Sequence, residues 1–258
     1  MSKKKIALVT GASSGLGREF VRKLLEEDVE EIWAVARNKE KLEKLIYDYG
    51  ERIKIFPMDL TVRENIAHLQ QRLAAEGDIS IRFLVNNAGF AKFCSYYDIS
   101  VEESLNMMDL NMGAVVALGL VCIPYMESGS YMINIASLAA FFPLPYQNIY
   151  SSTKAFVRNY TRALNVELKD KKIHAIAVCP GWIKTELYER AMIGAKKGTT
   201  VFSAMTEPEV VVGKALKDAK KGRDISVYGA FAKSAHFFAK IIPQRIVMKL
   251  WVRMQKLN

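Results

Sequence analysis

Hydrophobic residues in this chain come in short unbroken runs separated by longer stretches of helical periodicity. The runs lie at 5–10, 31–36, 52–57, 81–86, 130–136, 173–179 and 225–228, and are rich in Ile, Val and Ala with little alternation. Such runs predict strands covered on both faces. Between them, 15–27, 39–49, 62–76, 101–126, 147–170 and 208–221 carry the apolar spacing that lines up one face of a helix. The last opens Thr206-Glu207-Pro208-Glu209, a helix start with a capping residue and an early proline. Strands alternating with helices predict an α/β fold: a doubly wound parallel sheet of about seven strands with helices on both faces, in a single domain. No repeat, low-complexity stretch or linker interrupts the alternation. The least regular stretch, 186–205, follows a predicted strand end, where sheets of this kind bind ligands.

Composition changes this picture little, and charge changes it more. The 258 residues are 50% apolar and 25% charged, a balance that excludes a disordered or collagen-like chain. Lys and Arg number 37 against 27 Asp and Glu, and the surplus is uneven. From residue 225 onward there is no carboxylate side chain, while Lys233, Lys240, Arg245, Lys249, Arg253 and Lys256 carry six positive charges. On a helix over 244–257, Arg245, Lys249, Arg253 and Lys256 share one arc, and Ile246, Val247, Leu250, Trp251, Met254 and Leu257 face elsewhere. Residues 231–258 are therefore expected to form a basic amphipathic extension of a domain over 1–230. Such a helix suits three surfaces: its own domain, a partner subunit, or an anionic membrane touched peripherally through 240–258. No helix-turn-helix, zinc module or aromatic RNA-binding signature accompanies the charge, so nucleic acid is not an expected partner.

Cys94, Cys122 and Cys179 are odd in number and lack ligand-like spacing to His68, His174 and His236, so neither a disulfide framework nor a metal site is expected. The basic start, Lys3-Lys4-Lys5, is followed by too short an apolar run for a signal-peptide core, and a cytoplasmic protein is expected. The uncharged stretch 112–126 contains Gly113, Gly119 and Pro124 and falls short of the roughly 20 residues of a membrane span. It is expected to be a buried helix.

Chemistry enters with Thr10-Gly11-Ala12-Ser13-Ser14-Gly15-Leu16-Gly17, between the first predicted strand and the first predicted helix. Glycine lets the chain turn tightly and brings backbone close to a pyrophosphate, while the free N–H groups of the helix start attract negative charge. The context is Rossmann-like and predicts a bound dinucleotide. An NAD site would place Asp or Glu at the end of the second strand, to accept a hydrogen bond from the ribose 2′-hydroxyl. Here Ala36-Arg37-Asn38 stands instead. Arg37 has donors only, which suit a 2′-phosphate, so NADP(H) is the expected cofactor.

Tyr150-Ser151-Ser152-Thr153-Lys154 puts a phenol and an ammonium on one helix face. A free phenol ionises near pH 10 and is a poor acid or base at neutrality, but a neighbouring cation favours its phenolate. Tyr146 and Tyr160 lack a lysine at that offset. Ser137, at a predicted strand end, is placed to hold a substrate oxygen while Tyr150 protonates it. A serine nucleophile would need a histidine base, and no histidine lies at a strand end facing the crevice.

With these motifs in hand the chain resembles the short-chain dehydrogenase/reductase family over nearly all of residues 5 to 230. The family's glycine motif is met by residues 10–17, its Asn-Asn-Ala-Gly motif by Asn86-Asn87-Ala88-Gly89, and its catalytic set by Asn111, Ser137, Tyr150 and Lys154. Pro180-Gly181-Trp182-Ile183-Lys184-Thr185 resembles the family segment that touches the nicotinamide carboxamide. The resemblance implies Tyr150 as acid/base and Ser137 orienting the carbonyl. It also implies Lys154 on the nicotinamide ribose, and Asn111 holding a water that relays protons through Lys154. Cofactor contacts are implied for Gly11, Ser13, Ser14, Gly15, Leu16, Gly17 and Arg37, and at Asp59 and Leu60 beside the adenine. They are implied too for Asn87, Ala88 and Gly89 on the adenosine side, and for Pro180, Gly181, Ile183 and Thr185. Ser13, Ser14 and Arg37 match the NADP-type pattern, and family members pair through the helices carrying Asn111 and Tyr150, implying a homodimer or homotetramer. The basic tail departs from the family's minimal form.

The resulting expectation is an NADP(H)-dependent carbonyl reductase or alcohol dehydrogenase acting on a moderately apolar, steroid-like or fatty small molecule. Phe90, Phe93, Phe141, Phe142, Leu144 and Trp182 are expected to line its pocket. The alternative is a dinucleotide-binding regulatory or interaction protein without turnover.

Overall fold

Ile6 and Leu8 point to one side of the first strand and Ala7 and Val9 to the other, and all four are fully buried. Only a strand inside a sheet covered on both faces can do this. The computed structural model describes residues 3–199, 201–202, 205–239 and 241–257. Met1, Ser2, Thr200, Ser203, Ala204, Asn258 and, from the basic tail, Lys240 lie outside the described residues.

The elements follow one another as β1 (Lys4–Thr10), α1 (Gly15–Leu24), β2 (Glu31–Ala36), α2 (Lys39–Tyr49), β3 (Ile53–Pro57), α3 (Arg63–Ala75) and β4 (Ile79–Asn86). Then come α4 (Val101–Met108), α5 (Ala114–Cys122), β5 (Tyr131–Ile135), α6 (Asn148–Glu167), β6 (His174–Val178), α7 (Leu187–Ala191), α8 (Pro208–Lys220), β7 (Ile225–Ser226), α9 (Ala230–Phe238) and α10 (Gln244–Met254). The seven strands form one sheet, in the order β3-β2-β1-β4-β5-β6-β7, and every neighbouring pair is parallel. The order reverses between β1 and β4, which opens the ligand crevice of doubly wound sheets at the carboxyl ends of those strands. Phe20 of α1, Leu45 of α2 and Val212 of α8 pack on one face. Leu69 of α3, Leu118 of α5 and Leu164 of α6 pack on the other.

The uncharged stretch 112–126 is mostly α5, with Ala114, Leu118 and Cys122 turned into the core. The longer helical stretch Val101–Tyr125 is long and apolar enough to cross a membrane by length and composition alone. It is not one regular helix, because a π-helical turn at Asp109–Gly113 separates α4 from α5. The first helix ends at Leu24, three residues early, and α7 and α9 form outside the stretches whose spacing predicts helices.

The tail packs on its own domain. Trp251 Nε1 donates to Pro145 O at 3.0 Å, and Gln255 exchanges two hydrogen bonds with the Val201 backbone, at 2.9 and 3.1 Å. Tyr146 Oη donates to Leu257 O at 3.3 Å. Of the three surfaces open to this helix, the domain takes its inner face.

Candidate active site

Thr10 ends β1 and organises the crevice. Its Oγ1 accepts the backbone N–H of Asn87 and of Ala88, each at 2.9 Å, and donates to Val85 O at 3.3 Å. Asn87 Nδ2 reaches back to the carbonyl oxygens of Thr10 (3.0 Å) and Gly11 (3.2 Å). The two predicted loops are thus one hydrogen-bonded unit across the switch point. Gly11 needs its freedom, because φ is +61° and a Cβ would stand 2.8 Å from Asn87 Nδ2. At Gly17 a Cβ would meet Gly11 O at 2.1 Å, so this glycine lets α1 pack against the loop.

Arg37 follows β2 with its guanidinium 3.6 Å from the Asp59 carboxylate. Burial pushes the Asp59 carboxyl up, but hydrogen bonds from the Thr61 backbone and hydroxyl, together with the Arg37 charge, hold it below the usual range. The Arg37 side chain is 69% exposed and lines the crevice.

Tyr150 and Lys154 sit on the buried face of α6. Lys154 Nζ donates to Ile135 O at 2.9 Å and lies 5.8 Å from the centroid of the Tyr150 ring. Removal from water lowers the Lys154 ammonium to about 8. Burial also raises the Tyr150 phenol above its ordinary value, and a hydrogen bond with Ser137 pulls it partly back. Desolvation is the largest effect on the phenol, so its net shift runs opposite to the lowering expected from the neighbouring lysine. Ser137 Oγ also accepts the Ala139 N–H at 3.2 Å.

One cavity of about 540 Å³ joins these groups. Gly11, Ser13, Ser14, Gly15, Leu16, Arg37, Asp59 and Leu60 line one end, and Asn87, Ala88 and Gly89 line its floor. Ser137, Tyr150, Lys154, Pro180, Gly181, Ile183 and Thr185 line the other. Gly17 and Asn111 are not on the wall. Asn111 is fully buried in the π-helical turn, where Nδ2 donates to Phe90 O (3.0 Å) and Thr153 Oγ1 (3.1 Å) and Oδ1 accepts the Phe90 N–H (3.1 Å). A Cβ on Gly89 would lie 2.8 Å from Asn111 Oδ1 and 3.4 Å from Lys154 Nζ, so that bare backbone is where both side chains converge.

Of the expected pocket residues, Phe90, Phe93, Phe142, Leu144 and Trp182 line the cavity. Phe141 does not. Its ring packs tilted against His236, with centroids 4.3 Å apart, and takes the Arg158 guanidinium at 4.9 Å, behind the wall. Several lining residues carried no motif. Lys41 pairs with Glu186 at 3.3 Å, Gln147 donates to Thr199 Oγ1 at 2.9 Å, and Tyr188 Oη accepts the Ile183 N–H at 2.6 Å. Trp251 comes from the tail; its place on the apolar side of the helical wheel was the one available signal.

A bare-glycine cradle at one end and a Tyr-Ser-Lys group at the other, its Tyr150 and Lys154 buried, fit a dinucleotide laid along the crevice. The short chain dehydrogenase family pattern matches residues 5–194. An uncharacterized oxidoreductase of Staphylococcus epidermidis is 30% identical over 219 residues, spanning 81% of this chain and 94% of that protein. Among solved structures, a short-chain dehydrogenase from Sphingobium yanoikuyae in complex with NADPH is 26% identical with a TM-score of 0.75, covering 93% of this chain and 96% of that one. One from Burkholderia cenocepacia in complex with NADP is 26% identical with a TM-score of 0.79, covering 97% of this chain and 99% of that one. Sheet order, site geometry and sequence agree: the chain belongs to the short-chain dehydrogenase family and is an oxidoreductase.

Proposed function

We propose that this enzyme moves hydride between NADP(H) and the carbonyl or secondary-alcohol carbon of a moderately apolar substrate, with Tyr150 as acid/base. The observation that carries the reading is the continuity of one cavity from Arg37 and the glycine loop to Ser137 and Tyr150. The solved relatives bound to NADPH and NADP support the same cofactor class.

When bound, the nicotinamide supplies or takes up the hydride. Backbone N–H groups of 11–17 and the start of α1 hold the pyrophosphate, and Arg37 holds the 2′-phosphate with Ser13 and Ser14 beside it. At the reacting end, Ser137 holds the substrate oxygen. In reduction the Tyr150 O–H proton passes to that oxygen as the C–H bond forms; in oxidation it returns. The ammonium 5.8 Å from the ring favours the phenolate left behind. Asn111 fixes the loop under Gly89 and the Thr153 turn of α6, and so positions Lys154. Phe93, Phe142, Trp182 and Trp251 give the substrate end an apolar wall.

Residues 1–230 form the catalytic unit in this reading, and 231–258 extend it over the cavity. Exposed Leu105, Phe156 and Val166 on α4 and α6 support pairing of subunits into a homodimer or homotetramer. NADPH and NADH oxidation followed side by side across a panel of ketones tests the proposal. Turnover with NADPH in preference to NADH is expected, and turnover of no carbonyl with either would refute it.

A further inference from the structure

Row by row, α10 separates three kinds of side chain. Arg245, Lys249 and Arg253 recur at i, i+4 steps and are exposed. Ile246, Leu250 and Met254 follow each by one position and are 50%, 48% and 56% exposed. Val247, Trp251 and Gln255 follow again and line the cavity. Residues at i, i+4 share a face, so an exposed apolar row runs beside the cationic row, and two of its members, Leu250 and Met254, line the cavity as well. From α9, Phe231 and Phe238 line the same cavity while 52% and 48% exposed. Phe237 and Ile241 beside them are 60% and 62% exposed.

A contiguous exposed apolar surface marks an interaction site, and charge selects its occupant. No carboxylate side chain occurs from residue 225 onward. Among the described residues no ion pair engages Lys233, Arg245, Lys249, Arg253 or Lys256. A second copy meeting this face across a two-fold axis would set the cations against themselves. An anionic bilayer answers both features, with an acyl boundary for the apolar row and phosphates for the cations.

We propose that the α9–α10 face docks on an anionic phospholipid bilayer, and that the cavity draws a membrane-partitioning ketone or alcohol from it. The second clause rests on the oxidoreductase reading above; the docking does not. The mouth of the cavity is the docked surface itself, so an amphiphile reaches Tyr150 without crossing water.

The test uses the full chain and vesicles of phosphatidylcholine alone or equimolar with phosphatidylserine. One variant carries Phe237→Ser, Ile241→Ser and Ile246→Ser, none of which lines the cavity; another carries Arg245→Gln, Lys249→Gln and Arg253→Gln. The wild type should sediment with mixed vesicles and bind about tenfold more weakly to phosphatidylcholine alone or in raised salt. Each variant should lose about tenfold in binding to mixed vesicles with unchanged circular dichroism. A long-chain ketone dissolved in mixed vesicles should be reduced faster by the wild type than by the apolar variant, and a water-soluble ketone equally by both. Absent sedimentation of the wild type, or equal sedimentation of all three, overturns the docking. So does a fall in oligomeric mass on the apolar substitutions without vesicle binding, since a second copy then covers the face. Docking with equal handling of both ketones overturns the bilayer supply. Docking with no ketone turned over by any form supports the docked face and overturns the oxidoreductase reading and its substrate supply together.

Discussion

Lys154 gives its hydrogen bond to the carbonyl oxygen of Ile135 at 2.9 Å, while its ammonium stays 5.8 Å from the Tyr150 ring. The contact anchors α6 to the end of β5, at the cost of burying a charge. With its ammonium lowered to about 8 from an ordinary 10.5, the folded protein releases this proton before the unfolded chain does. Across that window the unfolded state binds more protons, so stability rises with pH, by about 3 kcal/mol from this group. Urea denaturation of the wild type and Lys154→Met at several pH values should show the wild type gaining on the variant between pH 8 and 10.5. Parallel pH dependence would refute the lowered value.

Arg37 is held only at its edge, by Asp59 at 3.6 Å, which leaves donors for a phosphate. Arg37→Asp should raise KM for NADPH by about ten- to hundredfold, the range of a lost charge-assisted hydrogen bond, and improve NADH use. Steady-state kinetics with both cofactors checks this; unchanged selectivity would remove Arg37 from the site.

The glycines of the first loop and of α8 should respond in opposite directions. Gly17→Ala drives a Cβ to 2.1 Å from Gly11 O, and should cost about 1–3 kcal/mol of stability and weaken dinucleotide binding. Gly213→Ala meets nothing within 4 Å on exposed helix, and should stabilise by up to about 1 kcal/mol. Thermal melts and cofactor titration read both.

Trp251 closes the substrate end from the tail, pinned by its bond to Pro145 O at 3.0 Å. Trp251→Ala removes apolar wall without removing a proton-transfer group. KM for a bulky apolar ketone should rise by about five- to tenfold with kcat within about twofold. An equal fall in kcat would place the indole nearer the chemistry.

The strands were legible because a sheet buried on both faces demands unbroken apolar runs, as at Ile6–Val9 and Ile133, and the turn chemistry of Gly11 marks its own loop. The tail was only half legible. Its periodicity identifies an amphipathic helix, but whether Val247 and Trp251 face lipid, a subunit or their own cavity depends on long-range contacts with Pro145 and Val201. The π-helical turn that buries Asn111 leaves no trace in residue spacing. Phe141 was misassigned because a strand end predicts nearness to the crevice, whereas the 3₁₀ turn Leu138–Phe141 swings its ring behind the wall. The ionisation of Tyr150 escaped for a related reason. Spacing reports that a cation is near, and burial, which decides the sign, is a property of the folded protein.

Single-turnover transfer of deuterium from 4-deuterated NADPH to a ketone, with cofactor affinity measured in the same samples, tests the central claim most directly in Tyr150→Phe. The account predicts cofactor affinity within about twofold of wild type and a transfer rate lowered by about a hundred- to ten-thousandfold. Transfer at the wild-type rate by the phenylalanine variant would contradict it.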